Sequence, residues 1–102
     1  MPVSTRRHKI NDILFSWDES KYALNFKTHG VTFEEAAEVF FDDLSSIRAD
    51  PDHSFAEERM IIIGHSKRNR LLFVSFTDNE TIRLLSARTA TRREIKAYEN
   101  GY

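Results

Sequence analysis

Three consecutive strand-like segments in the second half of the chain constrain its fold more than any other feature. They read RMIIIGHS (59–66), RLLFVSFT (70–77) and TIRLLSAR (81–88), and the short polar connections KRN and DNE separate them. Connections of that length and polarity favour hairpins, so the three segments predict an antiparallel meander. Apolar residues occupy both strand parities, which indicates that both faces of the sheet are at least partly covered.

The N-terminal part predicts a strand followed by a helix. ILFSW (13–17) has the composition of a strand. Asp18 is a suitable N-cap, and Gly30 suits the left-handed position that closes a helix. Tyr22 and Phe26, four positions apart, are expected on the inner face of this helix.

A second helix is predicted immediately afterwards. Thr32 and Glu35 have the spacing of a capping box, in which each side chain satisfies a backbone donor at the start of the helix. The apolar residues recur at positions i, i+3, i+4 and i+7, which predicts one buried stripe. These residues are Phe33, Ala36, Ala37 and Phe40.

The C-terminal part predicts the remaining elements. LSSIRAD (44–50) is a short strand that ends at a turn around Pro51. After the meander, Thr91 and Glu94 repeat the capping-box spacing and open a helix. Ile95 and Tyr98 are the residues of that helix expected to face inward.

The predicted order is therefore β-α-α-β-β-β-β-α. It describes an α+β fold with a small, mainly antiparallel sheet, two N-terminal helices and a C-terminal helix. A chain of 102 residues is expected to form a single domain over residues 1–102. Residues 1–11 are polar and basic, so they are predicted to be a flexible arm.

Charge is strongly polarised along a chain whose net charge is only −1. Residues 34–58 contain nine acidic residues and one basic residue, whereas residues 59–102 contain nine basic and four acidic ones. One interpretation is that the two regions neutralise each other in the fold. The other is a basic surface for an anionic substrate and an acidic surface for a basic partner.

Several classes of protein are disfavoured by the sequence. There is no cysteine, so disulfides and cysteine zinc sites are excluded. Neither a run of 18 apolar residues nor a signal-peptide core occurs, which predicts a cytoplasmic protein without a membrane association. The histidines are scattered and no phosphate-binding loop is present, so neither a metal nor another cofactor is expected. In the DPDH segment (50–53), the Pro-containing turn is favoured over a metal site.

What remains is a set of arginines and one well-placed histidine. Arg59 begins one predicted strand and Arg88 ends another, so the two are expected to meet at an edge of the sheet if the strand order allows it. Arg83 and Arg88 have opposite parity and share a face only if the strand twists or ends between them, whereas Ser86 and Arg88 have the same parity. His29 lies at the end of the first predicted helix.

These residue types suit the cleavage of RNA. The planar guanidinium group makes paired charge-assisted hydrogen bonds to phosphate oxygens. The ribose 2′-hydroxyl can attack the adjacent phosphorus, so the reaction requires no metal, and fixed arginines stabilise the charge of the transition state. Histidine can act as either the acid or the base. The alternative is structural: surface ion pairs for the arginines and helix packing for the histidine.

Several dispersed motifs, in order, carry a resemblance to a known family. They are F-x-W-D from Phe15, N-x-x-x-H-G-V-x-F-E-E-A from Asn25, D-x-x-H and E-x-R between residues 50 and 59, and I-R-x-x-S-A-R-x-A-T from Ile82. Together they resemble the BrnT family of bacterial type II toxins. The likeness extends from Phe15 to about Glu99, and the toxin domain is assigned to residues 13–99.

The resemblance implies a RelE-like fold and an endoribonuclease that inhibits translation and growth. It also implies a BrnA-type antitoxin with a ribbon-helix-helix part, and the toxin contacts operator DNA only through this antitoxin. A toxin homodimer within a larger hetero-oligomer is implied as well. Matched to the family motifs, His29, Arg59, Arg83 and Arg88 are the catalytic candidates. Lys27, Ser86 and Arg92 are the candidates for substrate binding.

Two departures from the family pattern remove positive charge near these residues. Thr28 stands where the family commonly has lysine, with Lys27 one position earlier, and residues 78–80 form a short acidic loop. They motivate an alternative function, a non-catalytic module that binds the antitoxin and acts as a transcriptional corepressor.

Overall fold

The protein is described here by a computed structural model that covers residues 5–51 and 58–101. Asp52, His53 and Glu57, which belong to two of the sequence motifs, lie outside the described residues.

In the part of the chain that the structure describes, six strands form a single sheet, which three helices accompany. The strands are β1 (Thr5–Ile10), β2 (Ile13–Asp18), β3 (Ser46–Ala49), β4 (Met60–His65), β5 (Leu71–Asp78) and β6 (Ile82–Thr89). The helices are α1 (Glu19–His29), α2 (Phe33–Glu38) and α3 (Arg92–Glu99), and a 3₁₀ turn (Val39–Phe41) extends α2.

The strand order across the sheet is β1-β2-β6-β5-β4-β3. All neighbours are antiparallel except β2 and β6, which pair in parallel through Phe15–Ile82 and Ser16–Arg83. The fold is therefore α+β with a mostly antiparallel sheet, and β4, β5 and β6 form the meander that the sequence predicts.

The predicted N-terminal arm is wrong for residues 5–10, which form β1. Asn11 and Asp12 both have positive φ angles (48° and 69°), the backbone conformation of the tightest hairpin turns. Asparagine and aspartate tolerate that conformation better than most residues, so the turn returns the chain directly along β2. His8 then stacks on Trp17 with ring centroids 4.1 Å apart, which gives a polar strand a buried contact.

Local signals govern the helix ends. The Asp18 side chain accepts a hydrogen bond from the Ser20 amide at the start of α1, and Gly30 closes the helix at φ 69°. Thr32 accepts from the Glu35 amide at the start of α2. The Glu35 side chain does not return to Thr32 as the spacing predicts, because it pairs with Arg70 instead.

One face of the sheet packs against α1 and α2 and forms the core. The buried side chains come from β2, α2, β5 and β6, including Phe15, Trp17, Phe33, Leu72, Val74, Leu84 and Ala87. The predicted inward orientation of Phe26 is wrong, since its side chain is 52% exposed. Asn25 is the buried residue of α1. Ile95, also predicted to face inward, is 37% exposed.

Candidate active site

A β-bulge in β6 determines where its arginines point. Ser75 lies opposite Ser86, but Phe76 lies opposite Leu84, so Leu85 is an extra residue in the ladder. Leu84 and Ala87 consequently both enter the core although they are three positions apart. Their neighbours Arg83 and Arg88 therefore both lie on the opposite side of the sheet, despite their opposite parity.

That opposite side is called here the arginine face, meaning the side of the sheet away from α1 and α2. Among the described residues, five arginines belong to it, four of them within strands and one directly before β4: Arg7, Arg48, Arg83, Arg88 and Arg59. Arg7 is placed there by its pairing with Ser16, and Arg48 by its pairing with Ile61. Strand pairing thus brings Arg7 and Arg48, which lie outside the basic segment 59–102, onto the same surface as Arg59, Arg83 and Arg88.

The largest group of these arginines surrounds a cavity of about 400 Å³. This arginine cavity is lined by three arginines, two carboxylates, two serines and three apolar residues: Arg48, Arg59, Arg88, Asp50, Glu94, Ser75, Ser86, Pro51, Ile61 and Phe73. It brings together three of the residues singled out in the sequence, Arg59, Ser86 and Arg88. They do not meet at an edge, because β4 and β6 flank β5 in the interior of the sheet.

Arg88 is held in one position by contacts on two sides. Its two terminal nitrogens donate to the two carboxylate oxygens of Glu94, at 2.8 and 2.9 Å, and its guanidinium lies 4.2 Å from the centroid of the Phe73 ring. The hydrogen bonds to Glu94 raise the pKa of Arg88, and those from Arg88 lower the pKa of Glu94. The Arg88 side chain is therefore oriented before any ligand arrives. The Glu94 carboxylate, however, offsets part of its positive charge.

Glu94 is a site residue that sequence reasoning treated only as part of a helix cap. It does form that capping box, because its side chain accepts from the Thr91 amide and its own amide donates to Thr91. The same carboxylate accepts two hydrogen bonds from Arg88, so the first turn of α3 fixes the position of the Arg88 side chain in the arginine cavity. Arg48 was also missed, because its place opposite Ile61 depends on the β3–β4 register.

Arg83 lies in a separate cavity of about 320 Å³, called here the N-terminal cavity. Its lining includes Arg7, Ser16, Thr77, Thr81 and Arg83. Arg83 and Arg88 are five positions apart on β6, which corresponds to roughly 15 Å along a strand. The structure therefore places the predicted arginines on one face but in two separate cavities.

His29 is exposed in a third groove, of about 360 Å³, beside the edge of β6. Ser86 lines both this groove and the arginine cavity, so it marks the path between His29 and the arginines. Asn25 fixes α1 at this position: its side chain donates to the Ala87 carbonyl at 2.8 Å and accepts from the Ala87 amide at 3.0 Å. Asn25 thus replaces a neighbouring strand where β2 no longer pairs with β6.

The two remaining candidates, Lys27 and Arg92, are exposed and line none of these three cavities. Lys27 belongs to the last turn of α1, and Arg92 to the first turn of α3. Any contact with a ligand would therefore be made outside the cavities.

Residues 5–51 and 58–101 contain neither a cluster of metal ligands nor a helix that could span a membrane. No group of three or more histidine, aspartate or glutamate side chains in these ranges is arranged to hold a metal ion. In the same part of the chain, every helix is too short or too polar to cross a lipid bilayer.

Comparison with known proteins identifies similar ones. The family model for the ribonuclease toxin BrnT of type II toxin-antitoxin systems matches residues 17–94. The fold is similar to the 1.1 Å crystal structure of the Brucella abortus ribonuclease toxin BrnT, with a TM-score of 0.55 and 25% sequence identity over 74% of this chain and 94% of that one. No protein of curated function gives a significant match. The matched span begins at Trp17, so β1 lies outside it.

Proposed function

The chain belongs to the BrnT family of ribonuclease toxins of type II toxin-antitoxin systems, and we propose that it cleaves RNA on its arginine face without a metal ion. The observation that carries the proposal is the arginine cavity, where Arg48, Arg59 and Arg88 approach one space from three different strands or strand ends. A phosphodiester in that space would meet three guanidinium groups and the hydroxyls of Ser75 and Ser86. The carboxylates of Asp50 and Glu94 line the same space, so the three arginines leave it a net positive charge.

The reaction proposed is attack of the ribose 2′-hydroxyl on the adjacent phosphorus. A base takes the 2′-proton, a 2′,3′-cyclic phosphate forms as the bond from phosphorus to the 5′-oxygen breaks, and an acid protonates the leaving 5′-oxygen. Negative charge accumulates on the phosphate oxygens in the transition state, and Arg59 and Arg88 would stabilise it. Arg88 is already oriented by Glu94, so it needs little reorganisation when the charge develops. Such preorganised donors contribute more to catalysis than mobile surface charges do.

His29 is the residue proposed to move protons, since imidazole both accepts and donates them near neutral pH. With the scissile phosphate in the arginine cavity, the ribose on its 5′ side, which carries the attacking 2′-hydroxyl, would pass over Ser86 and approach the groove that contains His29. Lys27 and Arg92 are proposed to contact neighbouring parts of the RNA, outside the cavities.

The partner proposed is a BrnA-type antitoxin with a ribbon-helix-helix part, through which operator DNA is bound. β3 is an edge strand of the sheet and pairs only with β4 among the described strands. An edge strand of this kind can pair with a second chain, which supports a toxin homodimer within the hetero-oligomer.

An RNA-cleavage assay with purified protein in EDTA tests this function. We expect the wild-type protein to cut RNA and Arg59→Ala to cut it about 10- to 100-fold more slowly, the loss typical of one charge-assisted contact. Arg93→Ala is the matched control, because it removes the same charge from an exposed position on α3 that lines none of the three cavities. Equal rates for the two variants would contradict the role of the arginine cavity, and cleavage abolished by EDTA would contradict metal independence.

A non-catalytic corepressor is the second candidate, and one observation favours it. The Arg88 guanidinium is already occupied by a bidentate carboxylate, which a substrate phosphate must displace or share. This candidate predicts tight binding of the antitoxin but no cut RNA in the same assay at any protein concentration.

A further inference from the structure

The N-terminal cavity contains two arginines that have no role in the proposed cleavage step. It lies at the other end of the arginine face from Arg88, and Arg7 and Arg83 both line it. Arg7 belongs to β1, which precedes the residues matched to the family. One wall of the cavity therefore comes from β1, which lies outside the residues matched by the family model.

Strand pairing brings the two arginines together. Arg7 lies opposite Ser16 on β2, and Ser16 lies beside Arg83 on β6. The three residues form one row across three adjacent strands, so the Cα atoms of the two arginines are about 10 Å apart. Both side chains extend from the arginine face, at a separation that lets two long guanidinium groups reach one anion between them.

The floor of the cavity consists of buried hydroxyl groups. Ser16 is 3% exposed and Thr77 is 2% exposed, and the Ser16 Oγ lies 2.6 Å from the Thr81 Oγ1. In that pair one hydroxyl donates its hydrogen, and the one that accepts keeps its own hydrogen for another acceptor. The cavity therefore combines two cations with a hydroxyl donor, which is a suitable environment for phosphate oxygens.

One carboxylate competes for the cavity, and it is weakly placed. Glu80 approaches Arg7 at 4.0 Å, and its side chain is 91% exposed in the β5–β6 loop. An exposed pair at that distance contributes little, because water and salt screen it. The contrast with Arg88, which holds Glu94 in a bidentate pair, is clear: Arg7 has no comparable partner among the contacts of the described residues.

We propose that the N-terminal cavity binds a second backbone phosphate of the RNA, several nucleotides away from the bond that is cut. The inference rests on the proposed function, because it assumes that the scissile phosphate lies in the arginine cavity. Binding at both cavities sets a minimum RNA length, since a short oligonucleotide cannot reach from Arg88 to Arg7.

Fluorescence anisotropy with 2′-O-methyl RNA, which cannot be cleaved, tests the second site. For a 12-nucleotide RNA we expect Arg7→Gln to weaken binding about 5- to 10-fold and to reduce the slope of log affinity against log salt by about 0.7, the value for one phosphate contact with a single strand. A 4-nucleotide RNA should bind the variant and the wild-type protein equally.

Two further variants control the measurement. Arg6→Gln removes the same charge from the adjacent position of β1, but Arg6 faces the side of Trp17 and pairs with Glu19, so long RNA should bind as it does to wild type. Glu80→Gln removes the competing carboxylate and should strengthen binding of the long RNA.

The outcomes separate this inference from the proposed function. A wild-type protein that cuts RNA, with Arg7→Gln indistinguishable in affinity and salt slope, overturns the second phosphate site alone. A wild-type protein that cuts no RNA contradicts the proposed function. If Arg7→Gln weakens binding of a purified antitoxin and leaves RNA binding unchanged, the cavity belongs to a protein interface and the inference is wrong.

Discussion

The two faces of the sheet are made by the same strands but have opposite properties. On β6, Leu84 and Ala87 enter the core, while Arg83 and Arg88 lie on the arginine face. The core face is a continuous set of aromatic and aliphatic side chains, and the arginine face carries guanidinium groups above serine and threonine hydroxyls. Neighbouring residues of one strand therefore contribute to different properties, one to stability and the next to ligand binding. Single substitutions can test the two properties separately.

The largest expected effect is on the core face. Phe33 is fully buried and makes edge-to-face contacts with Trp17 and Tyr22, at centroid distances of 5.8 and 5.6 Å. Phe33→Ala should lower the free energy of unfolding by about 3–5 kcal/mol, as is typical for a large aromatic removed from a core. Urea denaturation measures this, and Phe26→Ala, at an exposed position, is the control. A loss below about 1 kcal/mol would show that the core does not depend on this ring.

An intermediate loss of stability is expected at the buried ion pair of Glu35 and Arg70. Glu35 is buried and receives hydrogen bonds from Arg70 and Ser66, and Arg70 also donates to the Gly30 carbonyl. Arg70→Ala leaves the carboxylate without its cation, so we expect a loss of about 2–3 kcal/mol in the free energy of unfolding. An unchanged urea midpoint would contradict the structural role of this pair.

The same variant has a distinctive pH dependence. The hydrogen bonds from Arg70 hold the pKa of Glu35 below its ordinary value, so the pair stabilises the protein above the unfolded pKa of about 4.3. That contribution is lost as pH falls through the lowered pKa of the folded state, where the carboxylate becomes protonated. Arg70→Ala should therefore lose less stability than the wild-type protein over the same acid range, when urea midpoints are compared.

The smallest effect on stability is expected on the arginine face itself. Arg83→Gln keeps much of the side-chain length, and the free energy of unfolding should change by no more than about 0.5 kcal/mol. RNA affinity should fall in the same variant, because Arg83 lines the N-terminal cavity. A loss of stability as large as that of Arg70→Ala would mean that this face holds the fold together as well, and the comparison between the faces would fail.

Local sequence signals predicted much of the fold, and cross-strand register explains what they missed. The Asp18 cap, the Gly30 helix end and the capping box of Thr91 and Glu94 depend on neighbouring residues, and all are present. Strand β1 was missed, because its stability comes from a hairpin turn and from His8 stacking on Trp17 rather than from apolar residues of its own.

The arrangement of the arginines was less predictable, for the same reason. Arg59 and Arg88 were expected to meet and do line one cavity, but the bulge at Leu85 that puts Arg83 on their face is set by pairing with β5. Arg48 joins them through the register of β3 on β4, which its own sequence neighbourhood does not specify. The catalytic and binding roles of these residues stay predictions until the variants are measured.

The parallel pairing of β2 with β6 determines how late in synthesis the sheet can be completed. Phe15 pairs with Ile82 and Ser16 with Arg83, so contacts that join the two halves of the sheet span 67 positions of the chain. Synthesis proceeds from the N-terminus, and contacts between distant segments form late in folding. The arginine cavity and the N-terminal cavity both need residues of β6, so a growing chain on the ribosome has neither cavity until β6 has been synthesised.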